Sequence, residues 1–86
     1  MLASYYPGHF RHMNWEGPKP PTKAEKAQWF RVYAQAVADN LKAGEKGWVL
    51  DFDGGLYEVN RERRSARRLA ENEDPEGIRA RFQQAA

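Results

Sequence analysis

The 86-residue chain contains no cysteine and no long apolar run. The absence of cysteine excludes disulfides, thiolate catalysis and cysteine-type zinc sites. No stretch approaches the roughly 20 apolar residues that a membrane-spanning helix needs, and the N-terminus lacks the apolar segment of a secretory signal. We therefore expect a protein that does not associate with a membrane and that acts in the cytoplasm.

Aliphatic side chains are scarce, with only five Leu, four Val and one Ile. Three Trp, four Tyr and four Phe must supply much of the core, because each aromatic ring buries a large apolar area. A chain of this length forms one small domain whose stability margin is narrow. Either its own aromatic residues complete the core, or a binding partner does.

The clearest element is a long amphipathic helix over about residues 23–43. Thr22 and Glu25 match the S/T-x-x-E capping box, and Gly44 follows where a left-handed residue often ends a helix. Apolar residues recur between these signals at steps of three or four, which is the helical period. The predicted apolar face comprises Phe30, Tyr33, Ala34, Val37 and Leu41, widened by Trp29, Val32 and Ala36.

Residues 48–60 have the pattern of a β-hairpin. Asp53-Gly54 is a favoured pair for a two-residue turn. With that turn, Leu50 pairs with Tyr57, and the apolar side chains of both strands share one face. We therefore predict a two-residue loop, with the long helix covering the apolar face.

Together these elements predict an α+β fold in a small single domain. An irregular aromatic N-terminal arm over 1–21 precedes a helix–hairpin–helix globular domain over 22–86. The C-terminal part is predicted to form one or two short helices, the first over about 60–71 and the second after Asp74-Pro75. This order of elements resembles that of small phage head–tail joining proteins, which would imply a structural or assembly role.

The segment Val49–Leu56 resembles the first motif of the haloacid dehalogenase-like phosphatases, in which an apolar strand leads into Asp-x-Asp-Gly-Thr. The resemblance implies Asp51 as the nucleophile, Asp53 as the general acid/base and Mg²⁺ between them. It departs from the family at Gly55, where the family carries Thr or Val. The family's parallel sheet and crossover helices do not fit an 86-residue chain. We therefore interpret Asp53-Gly54 as a turn and predict no catalytic residue.

His9 and His12 have a spacing that can hold a metal ion, and Glu16 is the nearest further ligand. Zinc needs about three or four ligands, and the sequence shows no second cluster. We therefore interpret the two histidines as ordinary surface residues and predict no metal and no cofactor. Ser4 and Ser65 belong to no recognisable nucleophile pattern. These observations favour a protein that is not an enzyme.

Residues 61–68 carry five Arg and one Glu, and residues 71–76 carry four acidic side chains. On a helix, the basic block would present a stripe that can follow a phosphate backbone. The acidic block can neutralise it, and a net charge of +2 is low for a nucleic-acid-binding protein. Nucleic-acid binding through this basic face is therefore the alternative function. The residues predicted for it are Arg61, Arg63, Arg64, Arg67 and Arg68.

Aromatic and basic side chains alternate irregularly in the N-terminal segment. Tyr, Trp and Arg contribute most of the binding energy in protein interfaces. Two interpretations stay open, because these rings can dock on a partner or fold back to complete a thin core. The predicted partner-binding residues are Tyr6, Phe10, Arg11 and Trp15. The favoured function is a non-enzymatic protein-binding module, a regulator or inhibitor that docks on a larger macromolecule, of open oligomeric state.

Overall fold

The computed structural model describes residues 2–15, 17–62 and 66–85. It shows a small α+β domain, as predicted, built on a five-stranded antiparallel sheet with the order β2-β1-β3-β4-β5. None of the described helices is long and apolar enough to cross a membrane. The elements are β1 (Leu2–Tyr6), β2 (His9–Met13), α1 (Lys23–Asn40), β3 (Lys46–Leu50), β4 (Leu56–Asn60), β5 (Ala66–Arg68) and α2 (Ile78–Ala85).

Helix α1 begins at the predicted capping box. The Thr22 hydroxyl accepts the Glu25 N–H at 3.1 Å, and the Glu25 carboxylate accepts the Thr22 N–H at 3.0 Å. The helix ends at Asn40, earlier than predicted, because Leu41 adopts an extended backbone (φ −82°, ψ 143°) and turns its side chain into the core. Gly44, with φ 82°, lies in the turn that leads to β3.

One face of α1 packs against one face of the sheet. Of the predicted apolar face, Tyr33, Ala34, Val37 and Leu41 are buried there, whereas Phe30 and Ala36 are half-buried. Trp29 and Val32 were predicted to widen this face, but they remain 38% and 47% exposed. The reason is that a helix lying on a sheet contacts it along one side only. This first cluster consists of Leu2, Tyr33, Ala34, Val37, Ala38, Leu41, Val49 and Val59.

The opposite face of the sheet is covered by α2. A turn of 3₁₀ helix, Pro75–Gly77, leads into it, and the Asp74 carboxylate accepts the Arg79 N–H at 3.0 Å. Ile78 and Phe82, one helical turn apart, are buried as the predicted apolar stripe. The second cluster consists of Ala3, Trp48, Leu56, Leu69, Ile78 and Phe82. The sheet therefore has a hydrophobic cluster on each face.

The predicted irregular arm over 1–21 is wrong for its first part, which forms the hairpin β1–β2. The turn is Pro7-Gly8, and Gly8 has the positive φ of 82° that this position in a tight turn requires. Strand β1 lies inside the sheet. Its first two residues, Leu2 and Ala3, are fully buried on opposite faces of the sheet. The sequence allows an edge strand over residues 2–6, because Tyr5-Tyr6-Pro7-Gly8 is typical of an extended segment entering a turn. A strand buried on both faces lacks polar–apolar alternation, so its place inside the sheet was not predicted. The boundary at residue 21 stays a prediction.

The predicted pairing of β3 with β4 is wrong by one residue. Leu50 pairs with Leu56 rather than with Tyr57, and residues 51–55 form the connection. Side chains that alternate along these strands therefore face both clusters, with Val49 and Tyr57 on the α1 side and Leu50 and Leu56 on the α2 side. The predicted register placed all apolar side chains of the hairpin on one face. That assumption is wrong, because both faces of this sheet are covered.

The helix predicted over about 60–71 is also wrong. Residues 56–60 continue as β4, and Ala66–Arg68 pair with it as β5. Arg and Ala have high helix propensity, but propensity is a weak signal that tertiary pairing overrides. Residues 63–65, which belong to the predicted basic helix, lie outside the described residues.

Candidate protein-binding surface

The candidate surface is built on β2, which forms one edge of the sheet and pairs with β1. Side chains alternate along a strand, so His9, Arg11 and Met13 face the α1 side, whereas Phe10 and His12 face the α2 side. The packing agrees, because Met13 contacts the first cluster and Phe10 contacts the second. The strand therefore contributes to two different surfaces.

The rings of Tyr6 and Phe10 are half-buried on opposite faces of the sheet. Tyr6 packs against the first cluster and stacks on His9 with ring centroids 4.8 Å apart. Phe10 lies 5.6 Å from Phe82, measured between ring centroids. Both rings thus contribute to the core while keeping part of their surface exposed. Their binding of a partner stays a prediction.

Arg11 is exposed, and no carboxylate pairs with it among the described residues. Burial raises the pKa of Tyr33 above its ordinary value. The positive charge of Arg11 partly offsets this rise. The register of β2 places Arg11 on the α1 side of the sheet, the side on which Tyr33 packs. A cation at the edge of a sheet that pairs with no described carboxylate is available to a bound anion.

The buried phenol of Tyr33 predicts a pH dependence of stability. The folded chain holds the Tyr33 proton to higher pH than the unfolded chain, in which the ordinary pKa of 10.0 applies. The contribution of Tyr33 to the free energy of unfolding should therefore be constant below pH 10 and be lost as the pH rises above it. We expect Tyr33→Phe to reduce this loss in urea titrations at pH 9 and at pH 11. An unchanged loss would contradict the burial of the phenol.

Trp15 closes the loop that follows β2. Its Nε1 donates to the carbonyl oxygen of Lys19 at 2.7 Å. Gly17 lies under the ring, since a Cβ there would come within 2.8 Å of the same nitrogen. The indole N–H is therefore already used within the loop, and only the ring surface is available to a partner.

The described arginines of the predicted basic face do not form one stripe. Arg61 is exposed in the turn after β4, whereas Arg67 and Arg68 are adjacent on β5 and face opposite sides of the sheet. Arg67 lies 3.8 Å from the Glu58 carboxylate and 3.6 Å from that of Glu73. Arg63 and Arg64 lie outside the described residues.

Arg68 is held by an aromatic side chain. Its Nη1 donates to the Tyr57 hydroxyl at 3.1 Å, and its guanidinium carbon lies 5.7 Å from the centroid of that ring. The hydrogen bond raises the pKa of Arg68, and the carboxylates of Asp53 and Asp51 act in the same direction. The Arg68 guanidinium therefore contacts the Tyr57 phenol and is also attracted by the two carboxylates of the loop 51–55.

The two acids of the phosphatase-like motif accept hydrogen bonds from their own loop. The Asp51 carboxylate accepts the Phe52 N–H at 2.7 Å, and that of Asp53 accepts the Gly55 N–H at 3.1 Å. The loop is closed by the Asp51 N–H, which donates to the Gly55 carbonyl at 2.8 Å. These contacts are typical of side chains that stabilise a turn.

The two histidines of the predicted metal spacing do not face the same way. His9 stacks on Tyr6 on the α1 side, and His12 lies 5.8 Å from Phe10 on the α2 side. Glu16 lies outside the described residues. Among the residues that the structure describes, no group of three or more His, Cys, Asp or Glu could hold a metal ion.

A groove of about 530 Å³ on the α2 side was not predicted from the sequence. Arg81 donates to the Tyr5 hydroxyl at 2.6 Å and lies 5.4 Å from the centroid of that ring. Trp48 lines the same groove, and its buried Nε1 has no hydrogen-bond partner among the described residues. Tyr5 and Arg81 are 76 positions apart, so no local sequence signal could have joined them.

Comparison with protein families, with curated proteins and with solved structures finds no match to this chain. The structure brings Tyr6 and Arg11 to one side of the hairpin, places Phe10 on the other and puts Trp15 in the following loop.

Proposed function

We propose that this chain is a non-enzymatic protein-binding module, a small regulator or inhibitor that docks on a larger partner through the hairpin β1–β2. The observation that supports this most is the environment of Arg11. This side chain is exposed and lacks a carboxylate partner among the described residues, and the half-buried rings of Tyr6 and Phe10 lie on the same hairpin. Arginine and aromatic side chains are the residues that contribute most to interface energies.

The nucleic-acid alternative has less support among the described residues. A phosphate-binding face needs several cations on one surface that are free to contact the backbone. Arg67 is instead paired with two carboxylates, and Arg68 lies on the opposite face against Tyr57. Nucleic-acid binding is therefore retained as the competing outcome of the test below.

Arg11→Ala should weaken binding of the protein partner about tenfold, because the substitution removes an interface cation. The free energy of unfolding should change by less than about 0.5 kcal/mol, since the side chain is exposed. Phe10→Ala should instead lower that free energy by about 2 kcal/mol, because the ring loses its contact with Phe82. Binding is measured with the immobilised chain and a partner isolated from nuclease-treated host extract, and stability by urea unfolding.

Lys23→Ala is the matched control, because it removes an exposed cation from a different surface. It should bind the partner as the unchanged chain does. Equal binding by the Arg11→Ala and Lys23→Ala variants would refute docking through the hairpin. Loss of the captured material on nuclease treatment would favour the nucleic-acid alternative.

A further inference from the structure

The direction of the backbone groups in β2 follows from the tight turn at residues 7–8. In a two-residue hairpin the residues that flank the turn, here Tyr6 and His9, exchange hydrogen bonds. Bonded and non-bonded pairs then alternate along the ladder, so Ser4 and Arg11 form the next bonded pair. The main chain of Arg11 therefore points inward, toward β1.

The N–H and C=O groups of Phe10 and His12 point the other way, out of the sheet. Outside the β1–β2 ladder, no backbone hydrogen bond involves either residue among the described residues. The outer edge of β2 thus presents two donors and two acceptors at the spacing of a strand. An extended peptide can use such an edge by adding a strand to the sheet.

The charge of the edge selects the kind of strand that fits. Residues 2–15 contain no Asp or Glu, while Arg11 projects from β2 on the α1 side. A second copy of this chain could pair its own β2 antiparallel with this edge. If all the outward backbone groups of Phe10 and His12 were bonded in this way, the two Arg11 side chains would lie directly opposite each other. Like charges directly opposite on neighbouring strands are destabilising, whereas an acidic side chain in that place is favourable.

The two sides of the edge differ in polarity. On the α2 side, Phe10 keeps part of its ring exposed beside the buried Phe82. An apolar side chain of a neighbouring strand would cover that ring, while an acidic side chain one position along would face Arg11 on the opposite side. The edge therefore fits a strand in which acidic and apolar residues alternate.

We infer that β2 binds an extended acidic–apolar segment of a partner protein as a sixth strand, with acidic side chains toward Arg11 and apolar ones toward Phe10. This inference rests on the proposed docking function and specifies how docking occurs. Backbone hydrogen bonds supply the general affinity, and the two side chains of the edge supply the specificity.

The test uses the full chain and a short capped peptide of alternating Glu and Val. Amide exchange measured by NMR should be fast at Phe10 and His12 in the free chain and slow at Arg11. Adding the peptide should slow exchange at Phe10 and His12 at least about fivefold, because their N–H groups become bonded. A peptide of alternating Lys and Val at the same concentration is the matched control and should leave exchange unchanged.

Two variants separate the backbone contribution from the charge. Arg11→Glu should bind the Lys–Val peptide in preference to the Glu–Val peptide, reversing the order of affinities. His12→Pro removes an outward N–H that makes no internal bond, so the chain should fold and bind the Glu–Val peptide at least about tenfold more weakly. Unchanged peptide preference in Arg11→Glu would overturn the inference without depending on the proline variant.

Failure of the inference is distinguishable from failure of the docking function. If the partner protein binds and Arg11→Ala weakens it, yet the Phe10 and His12 amides still exchange rapidly, docking stands and strand addition is overturned. If slow exchange at these amides develops in the absence of peptide as the concentration of the chain rises, a second copy occupies the edge and the inference is overturned.

Discussion

Gly47→Ala is expected to lower the free energy of unfolding by about 3 kcal/mol. Gly47 lies on β3 directly under α1, and a Cβ at this position would overlap Cγ1 of Val37. The same Cβ would come within 3.2 Å of the Tyr5 carbonyl oxygen and 3.3 Å of the Tyr6 Cβ. The added Cβ would therefore meet a buried side chain on one side and strand β1 on the other, and neither can move aside at low energetic cost. Overpacking of a core commonly costs about 1–3 kcal/mol.

The effect is large for this chain, because a domain of its size has a total stability of about 4–13 kcal/mol. Urea unfolding followed by circular dichroism measures it. Val37→Ala in the Gly47→Ala background removes the overlapping atom, so the double variant should be more stable than the sum of the two single effects predicts. Strictly additive effects would show that α1 does not approach β3 at this residue.

Local signals predicted the elements whose formation depends on neighbouring residues. The capping box at Thr22 and Glu25 determines where α1 begins, and both of its hydrogen bonds are present. The apolar pair Ile78 and Phe82 was recognised for the same reason, because both lie on one side of a single helical turn. In these cases the physical cause lies within a few positions along the chain.

The β3–β4 hairpin was predicted, but its register and the place of β1 inside the sheet were not, because the sheet is buried on both faces. Leu2 and Ala3 are adjacent and both fully buried, so β1 lacks the alternation that identifies a strand with one solvent face. The same cause produced the wrong β3–β4 register, in which Leu50 was paired with Tyr57 to bring all apolar residues together. A second layer, α2, lies far along the chain and gives no local sign that it covers this face.

The candidate surface was predicted in composition but not in arrangement. The sequence singled out Arg11 and the rings of Tyr6 and Phe10, and the structure places all three on one hairpin. Their distribution over two faces depends on the Pro7-Gly8 turn. The open backbone groups at the edge depend on which strand lies beside β1. Such neighbour relations are set by tertiary pairing, which a single sequence does not reveal.

Phe82→Ala is expected to lower the free energy of unfolding by about 3–5 kcal/mol, the usual range for a buried phenylalanine. Phe82 is 1% exposed, and its ring contacts the second cluster and Phe10. Helix α2 has eight residues, which is too short to persist alone in water. Its position on the sheet therefore depends on the burial of Phe82 and Ile78.

Two further substitutions make the test specific. Phe82→Leu keeps most of the buried volume and should cost less than about 1.5 kcal/mol. Gln83→Ala changes the exposed neighbour on the same helix and should stay within about 0.5 kcal/mol of the unchanged chain. Urea unfolding followed by tryptophan fluorescence gives all three values. If Phe82→Ala were no more damaging than Gln83→Ala, α2 would not cover the second face of the sheet, and the support for Phe10 on the candidate surface would be lost with it.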